Sequence, residues 1–242
     1  MREGDVQVGQ VTLGLDTALR WVREYTGAER NETATDPYAY PAYDLYEQDT
    51  NDPRRLTDAD LLAPALLNVS VSIRSFYGLR RMRRELETGL AAVDPERPLA
   101  ELAESEIAAT MQALYGVLDT ESRPHGVRAT ALSKVLHRKA PHALVLRDVW
   151  VRACYVGPDG PVRYAKVRTW AAYMTELTVA IRNDIRAQPD VLRQLDAAAG
   201  TPGALSPVRL IDILAWKSKG KSTDRTPGEH PQLCSGQSVL AG

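Results

Sequence analysis

A chain of 242 residues, 44% hydrophobic and 25% charged, can bury a sizeable core and falls in the ordinary globular range. Its net charge of −1 excludes a global electrostatic pull toward nucleic acid or anionic membrane, although a local basic face stays compatible with phosphate binding. Two distant cysteines, Cys154 and Cys234, and four scattered histidines point away from a disulfide framework and a zinc cluster and fit a reducing compartment.

Residues 1–10 read as a short polar lead. Leu15, Ala18, Leu19 and Val22 then follow helical spacing, and this first helix is expected to end near Gly27. Asp36 to Tyr46 holds four tyrosines and two prolines. Proline disfavours helix and tyrosine offers an apolar face with a polar tip, so this stretch is expected to lie extended on the helical body. As cover over the core it is structural; as a pocket wall, Tyr43 is its candidate for stacking on a ligand.

Thr57 is placed to cap a helix whose apolar face is Leu61, Leu62, Ala65, Leu66 and Val69. A further helix carries Leu79, Met82 and Leu86 together with Arg80, Arg81, Arg83 and Arg84. These arginines can track a phosphate backbone, or form an ordinary ion-paired surface with the adjacent Glu85 and Glu87. Leu99 to Leu118 is amphipathic, with Leu102, Ile107, Met111, Leu114 and Leu118 recurring at helical spacing.

Arg123 to Val127 is a turn entering a helix through Ala131, Leu132, Val135 and Leu136, which Pro141 breaks. Asp148 opens another helical stretch. The turn Gly157-Pro158-Asp159-Gly160-Pro161 can close a small β-hairpin near 155–165. Thr169 to Ile185 is a long helix, and Ser206-Pro207 start a last one carrying Arg209 and Asp212 as a buried structural pair. The fold class is therefore all-α, a compact multi-helix domain over residues 1–217 with a disordered tail over 218–242. No apolar run spans a bilayer and Met1 to Asp5 does not open a signal peptide, so a cytoplasmic chain without a membrane partner is expected. The aromatic surface admits self-association as a homo-oligomer.

Arg123 to Trp150 carries the candidate chemistry. Gly126 precedes a helix start, where free backbone amides bind anions and glycine permits close approach. Asp148 comes 22 residues later; it can cap its own helix, face a pocket, or do both. Lys134 and Arg138 share a helix face at i,i+4, where they can hold phosphate or simply complement the helix end.

The Gly126-Val127 turn, the alanine-rich helix after it and Asp148-Val149 resemble the helix-hairpin-helix DNA glycosylases. The resemblance implies a hairpin that holds a DNA phosphate on backbone amides and a catalytic aspartate that stabilises the developing cationic sugar. Arg128 stands where the second hairpin glycine would be, and Thr130 where lyase members carry their nucleophilic lysine. The activity implied by this resemblance is that of a monofunctional N-glycosylase on nucleic acid or nucleoside, with Asp148 catalytic. Gly126, Arg128, Lys134 and Arg138 would hold phosphate, and Tyr43 or Trp150 would stack on an extruded base. No cofactor is implied. The alternatives are a non-catalytic binding or scaffold module, and an enzyme acting on a free small molecule. Leu56–Leu61, Ser133–Pro141 and Arg209–Trp216 resemble a wider family of uncharacterised actinobacterial proteins, over about residues 40–217.

Overall fold

The computed structural model describes residues 4–46, 52–200 and 203–223. Residues 224–242 of the expected tail, Cys234 among them, and residues 47–51 after the tyrosine-rich stretch lie outside the described residues. Among the described residues ten α-helices form the body, as an all-α domain requires. The polar lead is instead a small antiparallel ribbon, β1 (Asp5–Val8) and β2 (Val11–Gly14), with Val6 facing Leu13 and Val8 facing Val11. These four residues are buried. Their alternation with polar residues around Gly9-Gln10 is the period-two pattern of a half-buried hairpin.

The ribbon seats its turn on the helical body. Gly9 has φ +62°, and a Cβ there would lie 2.2 Å from the Cys154 carbonyl oxygen. Only glycine meets both conditions. The Gly9 amide donates to Asp184 Oδ2 at 2.7 Å, and the Gln10 amide donates to the Cys154 carbonyl at 2.8 Å. Near 155–165 the expected hairpin shrinks to one isolated bridge between Val156 and Val162.

Helices α1 (Leu15–Tyr25) and α2 (Ala28–Thr33) follow the ribbon. Thr57 caps α3 (Asp58–Leu62) through a capping box with Asp60. The long apolar helix expected there stops at Leu62. Pro64 supplies no amide, and residues 63–67 tighten into a 3-10 turn that leaves Leu62 and Leu66 exposed. Helix α4 (Ile73–Leu90) packs on α5 (Glu104–Tyr115), which lies along α8 (Trp170–Ala187). Between α5 and α8 in the chain come α6 (Ala129–His137) and α7 (Val149–Tyr155).

Helix α9 (Pro189–Ala198) connects to α10 (Pro207–Ser218), which Ser206 caps through its hydroxyl. Both α6 and α10 are buried along most of their length, so they are the axis of the core. Their charged residues must therefore find partners inside. The chain does not leave the body at residue 218. The Thr223 amide donates to the Thr12 carbonyl at 3.1 Å, beside β2.

Candidate functional site

Asp148 is the cap of α7. Its Oδ1 accepts from the amides of Trp150 at 2.8 Å and Val151 at 2.9 Å. Its Oδ2 faces Lys134 Nζ at 3.6 Å, beyond direct hydrogen-bond length. The Lys134 side chain is 3% exposed and that of Asp148 19%, so the carboxylate keeps a path to solvent and the ammonium does not. Next to them, Thr130 Oγ1 accepts from Arg147 Nη1 at 2.9 Å, and the Arg147 guanidinium lies over Trp170 and Tyr173.

One turn further along α6 the ionic contacts become dense. Tyr43 donates its hydroxyl to the Lys134 carbonyl at 2.8 Å and stacks on His137 with ring centroids 6.4 Å apart. The guanidinium groups of Arg138 and Arg209 lie 5.9 and 5.3 Å from the centre of the Tyr43 ring. Arg138 donates to the carbonyls of Tyr43 and Tyr46, each at 3.0 Å, and pairs with Asp60 at 3.4 Å. Lys139 pairs with Asp60 at 2.7 Å. Burial works to raise the Asp60 carboxyl, but Lys139 and the Thr57 amide hold it below its ordinary value.

Arg209 anchors the other side. It pairs with Asp44 at 2.6 Å and with Asp212, and it donates to the Tyr25 hydroxyl. Desolvation works against its charge, yet Asp44, Tyr25 and Asp212 keep it firmly protonated. Burial pushes the Asp212 carboxyl up despite Arg209, and its Oδ1 has no hydrogen-bond partner. Burial also holds His137 down at about 3, against the hydrogen bond of 2.7 Å between its Nδ1 and the Leu144 carbonyl. The neutral ring therefore carries its proton on Nδ1 and offers Nε2 as an acceptor.

A cavity of about 260 Å³ opens on this network, walled by Tyr43, Tyr46, His137, Arg138, His142 and Arg209. The structure thus brings four of the candidates, Asp148, Lys134, Tyr43 and Arg138, into one continuous group along α6. Gly126 and Arg128 lie at the opposite end of that helix, separated from Arg138 by its nine residues, about 14 Å of rise. Both are exposed. Gly126 has φ +90°, and a Cβ there would meet Arg74 Cβ at 3.2 Å. Trp150 points elsewhere, with the Lys219 ammonium 6.0 Å from its ring.

The group also contains residues that sequence reasoning did not single out, namely Asp60, Asp44 and Tyr25. Only Asp60 had a local signal, its place three residues after Thr57 in the capping box. The others are joined across long stretches of chain. Among the described residues, no three histidine, cysteine or acidic side chains come together as a metal site, and no helix is long and apolar enough to cross a membrane.

Chemically, the centre offers one partly buried carboxylate held by a helix start with a path to solvent, a buried cation behind it and a dense ion-pair network under a small cavity. No curated protein and no solved structure matches the chain. A family model, described as a family of unknown function (DUF6308), matches residues 18–219. That match takes in the helices from most of α1 through α10, with Asp148 and the network inside it. The chain therefore belongs to the family of unknown function DUF6308.

Proposed function

We propose that this chain is a glycosylase-like protein that acts on an N-glycosidic bond in a nucleic acid or nucleoside, without lyase activity. The observation that carries the reading is the division of labour on Asp148. One oxygen is fixed by the start of α7, and the other is directed by Lys134 while the side chain still reaches solvent. A carboxylate fixed in this way can stabilise positive charge developing on a sugar without reorganising during the reaction. Thr130 is tied to Arg147 and offers no amine. The Lys134 ammonium is buried against Asp148, which suits an orienting cation and does not suit a Schiff-base nucleophile.

The test is base release from a panel of damaged duplexes and free nucleosides, comparing the wild type with Asp148→Asn. Asparagine keeps an oxygen to cap α7 while the negative charge is removed; because it also leaves the buried Lys134 ammonium without its counter-ion, circular dichroism of the variant accompanies the assay and only a folded variant is compared. Release by the wild type and a loss of at least about 100-fold in the variant are expected. Full activity in the variant removes Asp148 from the mechanism. A wild type inert on every substrate overturns the enzymatic reading.

A second reading, a non-catalytic binding module, is favoured by one observation. Both oxygens of Asp148 already serve the fold, one as a cap and one toward Lys134. Specific binding without turnover distinguishes it.

A further inference from the structure

Helix α4 buries Ser75, Gly78, Leu79, Met82, Leu86, Gly89 and Leu90 on one side. At 100° per residue the opposite side presents Ile73, Arg74, Tyr77, Arg80, Arg81 and Arg84, and all six are exposed. Ile73 is 78% exposed and Tyr77 54%. Of the arginines singled out on this helix, Arg83 is paired with Asp58 on α3. Glu87 is turned away, accepting from the Leu56 amide at 2.8 Å. Among the described residues, no carboxylate pairs with Arg74, Arg80, Arg81 or Arg84. The stripe is thus a concentration of unneutralised guanidinium groups on a chain of net charge −1.

The start of this stripe touches the turn before α6. A Cβ at Gly126 would meet Arg74 and Ser75, and one at Gly78 would meet Val127 and Pro124. The turn adds exposed Arg123, His125 and Arg128 to the same border. Glu85 stands at the edge of this face, Asp58 pairs with Arg83 beside it, and Asp119 is engaged by the amides of Trp170 and Ala171.

We propose that the exposed face of α4, continued by the Arg123–Arg128 turn, docks the phosphodiester backbone of a nucleic acid. From Arg74 to Arg84 the helix rises about 15 Å, enough to follow several phosphates of one strand. Arginine forks match phosphate oxygens bidentately, which a membrane surface does not require. The apolar content of the stripe, Ile73 and Tyr77, is too small for a membrane-inserting face but fits a side chain packed on sugar or base. This interface deepens the glycosylase-like reading and rests on it only for the link to base chemistry. The docking itself stands on charge and geometry.

The experiment is fluorescence anisotropy of a labelled short DNA duplex and its single strand, titrated with the full chain over a range of salt. The wild type is compared with the triple variant Arg74→Gln, Arg81→Gln, Arg84→Gln. A control carries the same charge change at Arg20, Arg30 and Arg193, exposed on α1, α2 and α9. The expected result is wild-type binding at about 50 mM salt, at least about tenfold weaker in the triple variant and unchanged in the control. The log–log salt slope should be shallower by about 2 to 3 in the triple variant.

Equal loss in variant and control, no wild-type binding at low salt, or binding to phosphatidylserine vesicles but not to DNA each overturns the proposal. Circular dichroism checks that the surface changes leave the fold intact. DNA binding without base release keeps this interface and sinks the enzymatic reading. Base release undiminished in the triple variant does the reverse.

Discussion

Arginine serves two opposite ends in this molecule. On α10, Arg209 is buried and every nitrogen of its guanidinium group has a partner among Asp44, Asp212 and Tyr25. On α4, Arg80, Arg81 and Arg84 stand in solvent, and no carboxylate among the described residues pairs with them. Burial makes an ionic group costly unless its partners are built with it, so the interior arginines are structural and their neighbours cannot be changed one at a time. Exposure removes that constraint, and exposed guanidinium groups are free to meet something outside the chain. The difference teaches where to look for function. In the buried cluster the Arg209 guanidinium is already fully partnered, although Asp212 Oδ1 is left without a hydrogen bond.

The contrast breaks most visibly at Arg209. Replacing Arg209 with Met leaves Asp44 and Asp212 buried without their cation, and a loss of about 3 to 5 kcal/mol is expected, read from the urea midpoint. If Arg209→Met loses less than about 1 kcal/mol, the inner network is no more structural than the outer stripe.

A smaller effect comes from pH. His137 titrates near 6.5 in the unfolded chain and is held at about 3 in the fold by burial. Between those values the unfolded chain binds the extra proton, so stability falls as pH drops from about 6.5 toward 3, by at most about 1.4 kcal/mol per pH unit from this group. Asp60, whose carboxyl is held low after its desolvation is overcome by Lys139, loses its contribution in the same direction. Asp212, pushed up by burial, opposes them, because its contribution is lost as pH rises. Urea titrations at pH 7 and pH 5 should show the net fall, and His137→Gln should flatten it. A slope unchanged in that variant removes His137 from the account.

The smallest change is expected on the other side of the contrast. Arg81→Gln should move the unfolding free energy by no more than about 0.5 kcal/mol. A larger loss in thermal or urea unfolding means the stripe is holding the fold together.

Much of the helical frame is legible in the sequence because periodic apolar residues and caps are local signals. Thr57 and Asp148 each cap the helix whose start the sequence assigns to them, and Thr169 and Ser206 cap helices at the starts read there. The Arg209–Asp212 pair is readable from its i,i+3 spacing. The ribbon at Asp5–Gly14 escapes sequence reading because its strands are four residues each, too short for the alternation of Val6, Val8, Val11 and Leu13 with polar residues to stand out. Helices α2 and α9 escape it too, one too short for a period to show and one opening with Pro189 directly after the end of α8.

The candidate site is partly visible. Lys134 and Asp148 can be named separately, but their pairing depends on how α6 crosses the start of α7, and no local pattern encodes that. The link from Arg138 to Asp60 spans 78 residues, and that from Arg209 to Asp44 spans 165. Such partners are found only once the helices are packed. The reading of Arg80, Arg81 and Arg84 as an ion-paired surface with Glu85 and Glu87 fails for the same reason. Nearness in sequence does not say which way Glu87 turns.

The contact of Thr223 with β2 bears on how the chain can be handled and how it is finished. The outward amides of Thr12 and Gly14 are met by the hydroxyls of Ser222 and Thr223, at 3.1 and 3.2 Å. A strand edge left open recruits other strands. During synthesis this edge stays uncovered until the last described residues emerge, some 210 positions later. A clone trimmed at the end of α10 keeps every helix among the described residues and still exposes a seam for aggregation.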